Sequence, residues 1–454
     1  MRHQDHENVR GPSPLPDAAE KSKLLDSRLE GQSQKQTLER GLEHLHGPER
    51  VDYEIDELVV LCLVRNGRPY VKAFVDHYLA LGVRHMFFLD NGSTDGTVEV
   101  LQVYENVTVL RTELPFKEYQ MSMKQYMFER FGQGRWALFA DIDELFDYPY
   151  SETVDLGSLL RYLTQRSYTA VAAQMLDMFP ERPISEAAAA VEDEPVKETN
   201  RFYDISNVRL RNYWDYPIVC GTGNVLASDE IKVLRKGIQA TLFGGIPPLT
   251  KHPLVLSDGK AKPMDGSSHA VSHARVADLT CVLFHYKFLD HLYEQIRSAV
   301  REENYMKDSR KHKKRLETLE RNATLQIKRD TSRKLDNVNE LVENGFLVVS
   351  EDYLEWAESE DRAKNVGASR NEPYELSEAR SDQRSKDAKI GRLERELEES
   401  RHGLASKRRR IRKLKGKNRK LKVQVRELQT SGTSRPLAAL RRLRARMLST
   451  KRDR

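Results

Sequence analysis

WALFADIDELFD, residues 136 to 147, is an apolar, strand-like run that delivers Asp141, Ile142 and Asp143 at its C-terminal end, followed by the acid Glu144. Two carboxylates at i and i+2 fall on one face of an extended chain, where they can grip one divalent cation together. Open α/β sheets place their ligands in the crevice beyond the carboxyl ends of the strands. A doublet at a strand end therefore points to chemistry. An isolated DxD also occurs as a solvated strand end, and the surrounding sequence has to decide between the two.

Upstream, Glu57 to Val64 (ELVVLCLV) is a continuous apolar run ending in Arg65, Asn66 and Gly67, which reads as a buried strand and a turn. Pro69 stands where a helix should begin. Val71, Phe74, Val75, Tyr78, Leu79 and Leu81 then recur at helical spacing until Gly82 stops them. A second apolar run, His85 to Leu89, leads into DNGSTDGT at 90–97. A helical stretch to about Tyr104, a strand at Val107 to Leu110 and a helix from about Lys117 to Phe131 complete the approach to the doublet. This alternation from 57 to 141 predicts an α/β fold with a parallel sheet covered on both faces.

The order strand, RNG, helix, strand with DNGSTDGT, and then DID resembles the nucleotide-sugar half of a GT-A glycosyltransferase of the family 2 type. The branch related to family 92 is the closer match, through HYLALGV, FFLDNGSTDGT and FADIDEL. LTKHPLV at 249–255, GSSHAVSH at 266–273 and VLFHYKF at 282–288 fit the same branch, and the resemblance spans roughly Val51 to Tyr353. It implies a Rossmann-like GT-A fold, a nucleotide-diphosphate-sugar donor and a Mn²⁺ or Mg²⁺ ion.

It also implies roles for individual residues. Asp143 would bind the metal directly, and Asp141 would meet the ribose or the metal through water. Asp90 matches the position that contacts base or ribose, and Arg65 and Asn66 would line the base pocket. The chain has Gly67 where the common family 2 pattern has Glu, and Asn91 where it has a second Asp, which leaves the nucleotide unassigned. A late histidine is a further metal ligand in many GT-A enzymes. His285 stands in that place, although a hydrogen-bonded strand-edge histidine would look the same; neutral imidazole suits Mn²⁺ better than Mg²⁺. Lys287, two residues on, would share its face and reach a phosphate oxygen.

Inverting transfer needs a base for the acceptor hydroxyl. Asp177, after the strand-like run Ala170 to Met175, is the first candidate, and Asp215 in NYWDYP the second. Tyr213, Trp214 and Tyr216 beside it are core aromatics or a sugar-stacking surface. His252, His269 and His273 lack the paired spacing and the cysteines of a zinc site and are read as shaping the acceptor side.

Charged residues make up 32% of the 454 and hydrophobic ones 39%, which is polar for a chain that is globular throughout. Residues 1–50 contain no aromatic side chain and are expected to be disordered, apart from a helix near Gln36 to His46. The acidic insert Glu186 to Glu198 reads as a surface loop or short helix. Cys62, Cys220 and Cys281 are scattered, as reduced core residues of a cytosolic protein would be. Neither a signal peptide nor an apolar run of about 18 residues occurs.

The transferase-like domain is assigned to 51–356 and a linker to 357–389. A heptad register over 390–430 then places Ile390, Leu397, Leu404, Ile411, Asn418 and Val425 at a, with Leu393, Ser400, Lys407, Leu414, Leu421 and Leu428 at d. Nine of these twelve positions are apolar, which supports a coiled coil, and Asn418 at a favours a parallel homodimer. Residues 401–454 hold 21 Lys and Arg against two acids, a net of +19. The rest of the chain therefore carries −13 against the overall +6. The basic tail 431–454 places Leu437, Leu440, Leu443 and Met447 near one helical face, the pattern of a helix on an anionic membrane surface; a solvated basic tail fits equally. No aromatic residue follows Tyr374, which disfavours single-stranded nucleic acid.

Two functions compete. One is a metal-dependent glycosyltransferase, cytoplasmic and peripheral on the inner face of the membrane, acting on a glycan or lipid-linked acceptor in surface glycoconjugate synthesis. The other is a vestigial transferase-like domain that serves as a coiled-coil scaffold or tether.

Overall fold

Val59 to Val64 alternate between two hydrophobic clusters, Val60, Cys62 and Val64 facing one and Val59, Leu61 and Leu63 the other, and all six residues are buried. A strand without a polar face has to be covered on both sides. The computed structural model describes residues 31–185, 195–216, 222–263, 269–301, 310–322 and 324–368. Its core is a ten-stranded sheet built from β1 (Glu43–His46), β2 (Val59–Val64), β3 (His85–Asp90), β4 (Val107–Arg111), β5 (Trp136–Phe139), β6 (Glu144–Asp147), β7 (Ala170–Asp177), β8 (Val225–Leu226), β9 (Thr250–Leu256) and β10 (Arg275–His285).

The spatial order is β1-β4-β3-β2-β5-β9-β7-β10-β8, with β6 paired to β10. Strands β4, β3, β2 and β5 are mutually parallel, as are β7, β10 and β8. Strand β9 runs antiparallel between β5 and β7, so those two halves share one direction and one carboxyl edge. The chain passes from β2 outward to β3 and β4 and then returns to the other side of β2 as β5. That reversal opens a crevice at the ends of β2 and β5.

Helix α1 (Arg68–Leu81) buries Tyr70, Val71, Phe74, Val75 and Tyr78 on one face of the sheet. Pro69 opens it, and Gly82 closes it in the left-handed conformation at φ 94°. Helix α2 (Thr97–Leu101) and helix α3 (Phe116–Phe131) follow β3 and β4. Helix α3 lays Met123, Met127, Phe128 and Phe131 on the opposite face, and helix α4 (Leu156–Gln165) returns to the face of α1. Each fully buried Leu or Phe contributes about 1.5–3 kcal/mol. The mixed α/β architecture, a mostly parallel sheet covered by helices, is the one expected.

Two local expectations are corrected. Residues 31–40 are helical, and Glu43–His46 pair with β4, so order begins well before residue 51. Leu38 is fully buried, which explains why this segment folds without an aromatic residue. The strand before the doublet ends at Phe139, and 141–143 form a turn closed by the Glu144 amide donating to the Asp141 carbonyl at 2.9 Å. Asp141 and Asp143 are therefore not two residues on one face of a strand. The antiparallel β9 beside β5 is in keeping with a mostly parallel sheet.

The coiled-coil and basic-tail assignments, most of the linker, Cys220 and most of the acidic insert lie outside the described residues. Cys62 and Cys281 are buried and free. Among the described residues no helix is long and apolar enough to cross a membrane.

Candidate active site at the carboxyl edge of the sheet

The shared strand direction carries Arg65 and Asn66, Asp90, Asp141, Asp177 and His285 to the same edge, because each ends or follows one of the parallel strands. His285 is central. It lies in register with Asp177 of β7 on one side and with Glu144 of β6 on the other.

Its ring bridges two carboxylates. Nδ1 is 2.5 Å from Asp177 Oδ1, and Nε2 is 3.3 Å from Asp143 Oδ2. Asp177 Oδ1 also accepts from Gln239 Nε2 at 2.8 Å, and Gln239 Oε1 accepts from Arg315 at 2.6 Å. Gln239 comes from α5 (Gly237–Phe243) and Arg315 from α6 (Arg310–Glu320). Burial works against the charged form of His285, but Asp143 and Asp177 outweigh it and push its pKa up to about 9. Burial likewise opposes ionisation of Asp143, yet His285 and then Lys287 bring it down to about 2.

Asp143, Glu144 and His285 each offer a ligand atom, and these atoms lie within 4.8 Å of one another. Asp141 stands apart from this group. Lys251 Nζ is 3.0 Å from Asp141 Oδ2 and 2.5 Å from Glu144 Oε1, and Lys124 Nζ is 3.5 Å from Asp141 Oδ1. These lysines outweigh the cost of burial and hold the Asp141 carboxyl far below the usual carboxylate range. Lys251 is itself buried, and Asp141 and Glu144 overcome that burial to keep it an ammonium. The doublet thus divides its work: Asp143 faces the imidazole, and Asp141 is neutralised by lysines.

Lys287 makes no hydrogen bond or ion pair among the described residues. Burial, with Arg315 in support, lowers its pKa against the pull of Asp143. A partly buried ammonium beside a carboxylate–imidazole cluster is poised to meet an anion.

The two loops beneath the crevice are fastened together. The Asn66 amide donates to Ser93 Oγ at 2.8 Å, and Asn66 Oδ1 accepts from the Thr94 amide at 2.9 Å. The Gly67 amide donates to Thr97 Oγ1 at 2.9 Å, and Arg65 reaches the Asn91 carbonyl. Asp90 is fully buried and accepts from the Gly92 and Ser93 amides at 3.1 Å. Its carboxylate is turned into its own loop, with Arg111 Nε 3.8 Å from Oδ2.

Asp215 is exposed in a 3₁₀ turn at Tyr213–Asp215, and no contact joins it to the cluster. Tyr213 and Tyr216 are core residues, whereas Trp214 keeps 41% of its surface exposed. His252 is buried, its Nε2 2.9 Å from the Tyr213 hydroxyl, and His273 takes a positive φ of 55°. The residues that sequence reasoning missed are Glu144 as a member of the cluster, Lys124, Lys251, Gln239 and Arg315. Lys251 carried a signal: a lysine inside the apolar strand TKHPLVL has to be paired to be buried.

No protein-family model and no curated protein matches the chain. A solved structure of the mannosyltransferase PcManGT from Pyrobaculum calidifontis, in complex with GDP-Man and Mn²⁺, aligns at 18% identity over 32% of this chain, with a TM-score of 0.21. This chain spans 42% of that protein's length. A UDP-glucose pyrophosphorylase complexed with UDP-glucose aligns at 8% identity over 57% of this chain and 87% of its own, with a TM-score of 0.20.

Proposed function

We propose that this chain is a metal-dependent glycosyltransferase that takes its sugar from a nucleotide-diphosphate donor. The observation that carries this reading is the Asp143–His285–Asp177 arrangement at the switch-point crevice, with Lys287 beside it. A carboxylate and an imidazole, the imidazole oriented from behind by a second carboxylate, form a donor set suited to a borderline divalent ion. Asp143 keeps 16% of its side-chain surface exposed, so an ion can reach it. Asp143 and His285 would hold Mn²⁺ or Mg²⁺, which when bound would offset the charge that builds on the departing diphosphate.

The chain's own groups complete the arrangement. Asp177 holds the His285 tautomer by accepting a hydrogen bond from Nδ1–H, which leaves Nε2 facing Asp143. Lys287 supplies a fixed positive charge for a diphosphate oxygen. Arg65 and Asn66 present the joined loops to the nucleoside, with Asp90 setting their shape. Asp177 Oδ1 is committed to His285 and Gln239, which makes Asp177 a positioning residue rather than the base for the acceptor. The acceptor class proposed is a glycan or lipid-linked glycan.

Calorimetry tests the reading. Nucleoside diphosphates such as UDP and GDP should bind in the presence of Mn²⁺ and lose that binding in Asp143→Asn. A folded Asp143→Asn protein with unchanged, metal-dependent affinity would sink the assignment. A donor-hydrolysis screen across nucleotide sugars would then identify the sugar.

A further inference from the structure

Lys251 lies on β9 opposite Ala173 of β7 and is only 3% exposed. Its ammonium is 2.5 Å from Glu144 Oε1 and 3.0 Å from Asp141 Oδ2. The other oxygen of Glu144, Oε2, accepts from the Asp141 amide at 3.3 Å. Both oxygens of Glu144 are therefore engaged by the chain itself. A divalent ion reaching for Glu144 would have to share Oε1 with a buried ammonium or take Oε2 from the Asp141 amide, and either way it would sit close to the Lys251 charge, where two cations in a low-dielectric site repel strongly.

We infer that Lys251 is a built-in counter-ion that withholds Glu144 from the metal, leaving Asp143 and His285 as the protein's own ligands, so that the ion is held firmly only together with the donor's diphosphate. This rests on the metal-binding reading above. It adds a residue that sets how many ligands the protein supplies, and hence whether ion and donor bind together or in sequence. Ligand count and charge are the ordinary determinants of affinity for a hard cation.

The test uses the full chain and MnCl₂ alone, with free Mn²⁺ followed by electron paramagnetic resonance. Wild-type protein should bind Mn²⁺ weakly without nucleotide and much more tightly with UDP or GDP. Glu144→Gln should lose much less Mn²⁺ affinity than Asp143→Asn, because it removes a nearby charge but no ligand. Lys251→Met should tighten nucleotide-free Mn²⁺ binding by about tenfold or more, as a third ligand is released. The double variant should lose that gain.

If Lys251→Met does not fold, Glu144→Gln decides alone. A Glu144→Gln protein that loses Mn²⁺ to the same degree as Asp143→Asn overturns the inference while leaving the metal reading intact. An Asp143→Asn protein that binds Mn²⁺ as the wild type does removes the metal reading, and this inference with it.

Discussion

Ile142 covers Gly67: a Cβ built on Gly67 would lie 3.0 Å from Ile142 Cγ1 and 2.6 Å from Val64 Cγ2. The residue between the two aspartates thus packs on the loop that follows β2. The acidic turn and the loop after β2 are therefore in direct contact, with Ile142 filling part of the space that a side chain at 67 would need.

Gly67→Ala should therefore act on the acidic turn at a distance. Overpacking of this kind costs about 1–3 kcal/mol, and the displaced Ile142 should weaken Mn²⁺-dependent nucleotide binding as well. Combining Gly67→Ala with Val64→Ala should recover part of the stability, because the tighter contact is removed. Unchanged melting and unchanged nucleotide affinity in Gly67→Ala would show that the two segments are not coupled.

Asp177→Asn separates a positioning role from a catalytic one. Loss of the carboxylate behind a metal-binding imidazole typically costs about 10–100-fold in metal affinity. We expect that loss in Mn²⁺-dependent binding of UDP or GDP. A variant that binds metal and nucleotide normally but does not transfer sugar would instead return Asp177 to the role of general base.

Stability should fall on mild acidification. Burial holds His77, His85 and His252 at about 4, below their ordinary value. His77 shows why the neutral form is built in: its Nε2 is 2.7 Å from the Phe146 carbonyl, and its Nδ1 is 3.3 Å from Lys197 Nζ, so one nitrogen donates and the other accepts. Between about pH 6.5 and 4 the unfolded chain binds the protons that the native chain refuses. Each such histidine then lowers stability by up to about 1.4 kcal/mol per pH unit, and none contributes above that window. Urea denaturation at pH 7 and pH 5 measures the effect, and His77→Gln, which keeps a donor for Phe146, should flatten the slope. A His77→Gln protein with the wild-type pH dependence contradicts the assignment.

The elements were legible where local pattern decides them. ELVVLCLV and HMFFL are continuous apolar runs because both faces of β2 and β3 are covered, and Pro69 and Gly82 bracket α1 by backbone chemistry alone. The candidate site was legible only in part. Asp177 and His285 are 108 residues apart and meet through strand register, and no local spacing encodes that. The partition of the DID was hidden for the same reason, since Lys124 and Lys251 reach Asp141 from α3 and β9. A strand-end acid such as Asp90 reads the same in sequence whether it faces a ligand or its own loop.

The C-terminal arm offers the last test, and the fold says where to divide the chain. Helix α7 (Glu351–Ala368) packs Tyr353 and Trp356 against Tyr162, with ring centroids 5.1 and 4.8 Å apart, and Ser158 Oγ donates to Glu360 at 2.9 Å. A chain ending at 358 would lose the second of these anchors, whereas one ending at Ala368 keeps both. Residues 1–368 should bind Mn²⁺ and nucleoside diphosphate as the full chain does, because every residue of the cluster lies before 368. The heptads and the +19 charge of 401–454 belong to the removed part. The full chain should sediment as a dimer and with anionic vesicles, while the shortened one should do neither. At about 1 kcal/mol per Lys or Arg near the surface, a few engaged residues on each of two chains suffice for reversible attachment. Raising salt should release the full chain, since the attraction is screened within about 8–10 Å at moderate ionic strength. Full-length protein that is monomeric by light scattering and ignores anionic vesicles at low salt would show that the arm neither dimerises nor anchors the chain.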